Sequence, residues 1–256
     1  MEISLTNIIG AILAIGLRVS GLMIFAPFIG SSVIPPRIKA ILVLAITAVL
    51  YPVYHRQVAA ISLAQWPLVF MGEMLIGIGM GIVTNIVFEA AQLAGQVLSI
   101  QVGYSLVNIL DPTTQVESTV LGVFHQTMVM MIFLSMDVHQ WIIRAIAHSF
   151  EYLPPGTATI TPQFTQAVLH EGATVLAVGV QIAAPVLAAT LLADIVLGLL
   201  TKASPQLPVM LLGTAVKSMI GLGVLAAAIT YWPSLFEHYF KASIGLTERL
   251  LYLARA

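Results

Sequence analysis

The chain is a succession of long apolar runs separated by short breaks that carry proline. A helix that crosses a membrane needs about 20 mostly apolar residues. Six runs approach or exceed that length: 8–28, 38–54, 66–88, 120–136, 173–200 and 207–232. A more polar helical pattern, from 89 to about 106, follows the third run. Pro35-Pro36, Asp111-Pro112, Pro154-Pro155-Gly156 and the prolines at 205 and 208 mark the breaks. Proline removes an N–H donor and disfavours helix at the residue before it. The longest polar stretch, 137–172, is predicted to hold a short helix at 138–152 and a Thr/Pro loop at 156–162. No fixed-period repeat, low-complexity tract or separate soluble domain is visible.

Composition agrees with this pattern and narrows it. Lys and Arg number 10 and Asp and Glu 11 among 256 residues, only 8%, where an ordinary soluble domain carries roughly 25%. The hydrophobic set makes up 59%, and the mean hydropathy is +1.00. So few charges cannot cover a soluble globule of this size. A typical cytosolic enzyme, a disordered chain and a nucleic-acid binder of the basic-patch type are excluded. A polytopic membrane protein, or a subunit buried in a membrane assembly, is left. The absence of Cys removes disulfide frameworks, thiolate metal sites and Cys nucleophiles. The sequence starts Met1-Glu2-Ile3-Ser4 with no basic segment, and its apolar run continues past Gly21, so the first run reads as a mature membrane helix rather than a cleaved signal. Six simple spans would place Arg37, Lys39 and Lys202 on one side and Arg56, Arg144, Lys241, Arg249 and Arg255 on the other. Three against five leaves orientation open.

Four charges interrupt apolar runs: Arg18, Glu73, Asp194 and Lys217. A charge at bilayer depth costs at least a few kcal/mol, so it faces protein or water. Two acids balanced by two bases favour ion pairs between helices over a proton path, although the sequence does not say which acid meets which base. A polar stripe follows. Asn85, Gln92 and Ser99 are seven apart, as are Glu89, Gln96 and Gly103, and the interleaved sets share one helix face. That face either lines a watery channel or hydrogen-bonds a neighbouring helix. The stretch Gly103 to Pro112 runs out of the stripe as an apolar loop ending in an Asp-Pro turn. It fits a plug or gasket as well as an ordinary buried connection. Gly77 and Gly81 form a small-xxx-small pair that lets another backbone approach. No HExxH, GxSxG, P-loop or GxGxxG occurs, and the six His residues show no ligand spacing. No catalytic, metal or cofactor site is expected.

Several stretches, in order, carry a resemblance to a known family. They are Ala26-Pro27-Phe28 with Ile34-Pro35-Pro36-Arg37-Ile38-Lys39, the run from Gly72-Glu73 to Gly81, and Ala94-Gly95-Gln96 through Gln101-Val102-Gly103-Tyr104-Ser105 to Asp111-Pro112. Further along come Ser149-Phe150, Leu153-Pro154-Pro155-Gly156, Ala184-Pro185 and Ala203-Ser204-Pro205-Gln206-Leu207. Together they resemble the FliR/SctT family of type III secretion export apparatus over nearly the whole length. Val102 stands where Met is more familiar. The intact Pro35-to-Lys39 and Asp111-Pro112 stretches fit the flagellar branch better than the virulence branch.

The resemblance implies an all-α, polytopic integral membrane protein of helical hairpins. It implies a FliP-like part at about 1–165 and a FliQ-like part at about 166–256, packed in a hetero-oligomeric export gate of the bacterial inner membrane and flagellar basal body. The implied partners are FliP-like and FliQ-like subunits, FlhB-like and FlhA-like export proteins, membrane lipid and unfolded substrates in transit. Nucleic acid is not among them, and no cofactor is implied. In such gates the hairpins wind into a closed cone that stands largely above the bilayer plane, and the loop at about 103–118 is the channel plug. Gly103, Leu106, Val107, Ile109, Leu110, Asp111 and Pro112 are then the sealing residues. The alternatives are the equivalent subunit of a virulence secretion system and a secondary transporter that uses Glu73 or Asp194 as its coupling carboxylate.

Overall fold

The computed structural model describes residues 5–31, 34–57, 63–103, 119–157, 161–204 and 209–254. Among these residues there are eight α-helices and no strand. They are α1 (Leu5–Phe25), α2 (Pro36–Tyr54), α3 (Trp66–Val102), α4 (Val120–Ser135), α5 (Val138–Tyr152), α6 (Pro162–Ala203), α7 (Val209–Ala228) and α8 (Trp232–Leu253). Five stretches are long and apolar enough to cross a membrane, or six if α4 and α5 count as one broken span. The chain is an all-α polytopic membrane protein.

The predicted runs at 8–28, 38–54 and 120–136 are helices shifted by a few residues at most. The short helix at 138–152 has the predicted bounds. It buries Val138, Ile142, Ala145, Ile146, Ser149 and Phe150, spaced as one face of an α-helix requires.

Two expectations change, and one helix is added. The pattern at 89–106 is not a separate helix but the second half of α3, which runs unbroken for 37 residues. A rise in polarity does not stop a helix; between Phe88 and Gly95 the sequence supplies Ala90, Ala91 and Ala94, all strong helix formers, and no Pro. The run predicted at 173–200 begins at Pro162 instead. Thr161 accepts the Phe164 N–H on its hydroxyl at 3.1 Å, and proline suits the first helical position because its missing N–H would have no partner there. Only one side of that first stretch is apolar, with Phe164 buried. Last, the tail beyond Trp232 is a helix of 22 residues. The loop expected at 156–162 is described at its start, 156–157, and from Thr161, where α6 takes over.

The helices gather into two compact units. The first is drawn from 1–86, 136–174 and 239–256, the second from 87–135 and 175–238. In the first unit α1 and α3 run parallel at backbone contact. A Cβ on Gly77 would collide with the Arg18 carbonyl, and one on Gly81 would lie 2.7 Å from the Leu22 carbonyl. Gly21 meets Met74 and Ile78 in the same way from the other side. In the second unit α6 and α7 form an antiparallel hairpin. Gly213 meets Leu197 and Gly221 meets Thr190, while Lys217 meets Asp194. These pairs sit in one continuous register, their numbers adding to 410 or 411. At the other flank Gly95 of α3 lies against Gly122 of α4, where an added Cβ would stand 2.5 Å from the Gly122 Cα.

The glycine contacts make a direct prediction. Gly77→Val should destabilise the protein by about 1–3 kcal/mol, the usual cost of overpacking. The check is the midpoint of thermal unfolding in detergent and the amount of protein in the membrane fraction. Gly10→Ala, whose Cβ would stand 3.6 Å from the Trp66 ring, should leave both unchanged.

Candidate functional site

The four charges form two separate pairs. Arg18 on α1 and Glu73 on α3 are both fully buried, with Nε 2.6 Å from Oε2. The Arg18 Nη1 donates to the Ser149 carbonyl at 3.0 Å, the Ser149 hydroxyl at 3.2 Å and the Leu153 carbonyl at 2.9 Å. The Ser149 carbonyl lies in the last turn of α5 and also takes the Leu153 N–H at 2.9 Å, and Leu153 directly follows the helix; both carbonyls stand at the negative end of the helix dipole. The guanidinium therefore caps α5. Its carbon also lies 4.3 Å from the centre of the Phe150 ring, a cation–π distance.

Glu73 does equal duty on its other oxygen. Oε1 accepts the Gly156 N–H at 2.8 Å. Gly156 has φ +92°, and Thr157 N–H returns to the Pro154 carbonyl at 3.1 Å. Proline followed by a positive-φ glycine is the signature of a type II turn, and that turn leaves the Gly156 N–H free for Glu73. One ion pair thus joins α1, α3, the end of α5 and the Pro-Pro-Gly turn. Ser149, Phe150, Leu153 and Gly156 were not recognisable as its partners from their spacing; only the turn itself was legible.

Asp194 on α6 and Lys217 on α7 form the second pair, Nζ to Oδ2 at 2.7 Å. Gln101 of α3 donates to the same oxygen at 3.3 Å. This pair is not enclosed: the Asp194 side chain is 43% exposed. Around it lie exposed Leu191, Leu192, Ile195, Val216, Met219 and Ile220. Asp194 stands nine residues, about 14 Å, from the end of α6 at 1.5 Å per residue.

The polar stripe lies on one continuous helix but its positions differ. Glu89 is exposed, Asn85, Gln92 and Gln96 are half-buried, and Ser99 is fully buried. The Ser99 hydroxyl has no partner among the described residues. The Gln96 side chain passes 3.7 Å from where a Gly122 Cβ would stand, so this part of the stripe borders α4. The Ser218 hydroxyl donates to the Val102 carbonyl at 2.6 Å, and Gly103, at φ +95°, ends the helix in the left-handed conformation that glycine favours. The remaining plug residues, Leu106, Val107, Ile109, Leu110, Asp111 and Pro112, lie outside the described residues.

His125 of α4 is a buried polar group that sequence spacing did not single out. Its Nδ1 lies 2.7 Å from the Leu121 carbonyl, and its ring lies 4.8 Å from that of Trp232, inclined at 46°. Among the described residues no three His, Asp or Glu side chains gather as a metal site would need.

The ordered motifs, the long helices and the glycine contacts set the frame for comparison with known proteins. Residues 9–243 match the family described as bacterial export proteins, family 1. The chain belongs to this family. It is 28% identical over 237 residues to the flagellar biosynthetic protein FliR of Escherichia coli, covering 92% of this chain and 90% of that protein. It is 23% identical to FliR of Bacillus subtilis, with 98% of each chain covered. The secretion system apparatus protein SsaT of Salmonella typhimurium is 26% identical, with 78% of each chain covered. This member of the export family therefore resembles both flagellar and secretion-system relatives along most of its length.

The buried pair generates the next prediction. Arg18→Met leaves Glu73 buried without its cation and should cost about 3–5 kcal/mol. Adding Glu73→Gln removes the stranded charge and keeps an acceptor for the Gly156 N–H, so the double variant should recover much of the loss. Thermal unfolding of the purified protein distinguishes the two. If the double variant is no more stable than the single one, the charge pairing is not what matters there.

Proposed function

We propose that this chain is a non-enzymatic subunit of a flagellar type III protein export gate in the bacterial inner membrane. It assembles with FliP-like and FliQ-like subunits, and FlhB-like and FlhA-like proteins join the gate. The observation that carries the reading is the Asp194–Lys217 pair. It stands open to the outside near the middle of an apolar hairpin. Lipid is a poor environment for such a pair, and a sister subunit is a good one. Membership of the export family supplies the class of assembly.

The α6–α7 hairpin supports a FliQ-like part at about 166–256, and the α1–α5 region a FliP-like part at about 1–165. The loop from Gly103 to Pro112 seals the channel, with Leu106, Val107, Ile109 and Leu110 as the apolar gasket and Asp111-Pro112 anchoring its end. Support comes from the ends of the loop. α3 is capped by Ser218 and held against α4 at Gly95 and Gly122, so the connection leaves a fixed base. Among the described residues the acids a transporter would need are engaged. Glu73 is fully buried between Arg18 and Gly156, and Asp194 is held by Lys217 and Gln101.

Two measurements test the reading. The chain should co-purify with FliP-like and FliQ-like proteins and should not do so if it works alone as a transporter. Deleting Val107 to Leu110 should raise ion leakage through the assembled gate in living cells. Unchanged leakage in a correctly assembled complex overturns the plug assignment.

A further inference from the structure

We propose that the outward face of α2 is the surface through which this chain meets membrane lipid. Among the described residues several helices expose apolar side chains, and two of these surfaces differ in character. The outer face of the α6–α7 hairpin is apolar but interrupted by Asp194 and Lys217. The outer face of α2 is not interrupted. Between 40 and 53, every exposed position is Ala, Val, Ile, Leu or Pro. Ile41, Leu44, Val49 and Val53 are 61–70% exposed. Only Thr47 and Tyr54 of this helix are buried. Thr47 seats against Gly16 of α1 and returns its hydroxyl to the Val43 carbonyl at 2.7 Å, so it turns no open polar group outward.

Length and charge both suit a bilayer. Nineteen residues make about 28 Å of helix, close to the roughly 30 Å of hydrocarbon. Polar groups stand at the two ends alone. Arg37 is exposed at the start and has no partner among the described residues, so it is placed to meet an anionic headgroup. Lys39 beside it reaches back to the Gly30 carbonyl at 2.9 Å. At the far end stand half-buried Tyr51 and His55, and tyrosine is enriched where hydrocarbon meets water. A protein neighbour on this face would need no such spacing of its ends.

The inference rests on the reading of the chain as an inner-membrane export-gate subunit, and the experiment separates the two. The chain has no Cys, so single cysteines can be labelled without background. Leu44→Cys, Val49→Cys and Leu191→Cys are each labelled with an environment-sensitive fluorophore. The protein, assembled with cysteine-free FliP-like and FliQ-like subunits, is placed in phosphatidylethanolamine–phosphatidylglycerol vesicles that contain nitroxide-labelled lipid. The lipid should quench positions 44 and 49 several-fold more strongly than position 191, and a water-soluble nitroxide should quench neither. Weak quenching at 44 and 49, equal to that at 191, means protein covers α2 and overturns the proposal. Strong quenching at 44 and 49 by the soluble nitroxide means water does, and overturns it too. Val53→Cys gives the same readout if a label at 44 blocks assembly. Failure to co-purify with the partner subunits counts against the gate reading alone, because the lipid contact is then read on the full chain in the same vesicles.

Discussion

The Arg18–Glu73 pair is the constraint around which the first unit is arranged. A guanidinium and a carboxylate removed completely from water are tolerable only if nearly every polar atom finds a partner. Here the partners come from distant parts of the chain: two carbonyls and a hydroxyl at the end of α5, and an N–H in the turn that follows. The charge specifies a geometry more than it contributes net stability. α1 and α3 must be near enough for the pair to form, and Gly21, Gly77 and Gly81 allow their backbones to touch. The end of α5 must then lie over the guanidinium, and the Pro-Pro-Gly turn must follow at once. Each local feature is ordinary by itself. The ion pair makes them consistent with one another.

The second pair obeys the opposite logic. Asp194 and Lys217 are joined across a hairpin whose register is continuous from Gly213 to Gly221, but their outer side is left open. The two pairs would be indistinguishable by composition, both being a charge in an apolar run. What separates them is the number of elements available to surround each. Arg18 has three helices and a turn around it, while Asp194 has its hairpin partner and one glutamine from α3.

Much of the architecture was legible in the pattern of apolar positions. α2, α4 and α5 appear close to where that pattern puts them, since a long apolar or strictly amphipathic stretch has few other ways to satisfy its backbone. The failures share one cause. Continuity of α3 through Phe88 and Glu89, the early start of α6 at Pro162 and the helix beyond Trp232 all involve mixed polarity. Hydropathy marks what is dry, whereas helix boundaries follow caps and breakers. At the charged sites, residue type showed that pairing was needed. The partners Leu153 and Gly156 contribute backbone groups that carry no residue-specific signal, and Ser149 adds one hydroxyl to its carbonyl. The stripe from Asn85 to Ser99 was recognisable as one face, yet its exposure runs from open at Glu89 to fully buried at Ser99, which depends on the neighbours and not on the spacing.

The helix lengths carry one more consequence. At 1.5 Å per residue, the 37 residues of α3 span about 55 Å and the 42 of α6 about 63 Å. Either is well beyond what a hydrocarbon layer can keep dry. A newly made copy that has not met its partners leaves part of its apolar surface with no suitable solvent on either side of the headgroups. An unassembled copy is therefore expected to be more prone to aggregation than an assembled one.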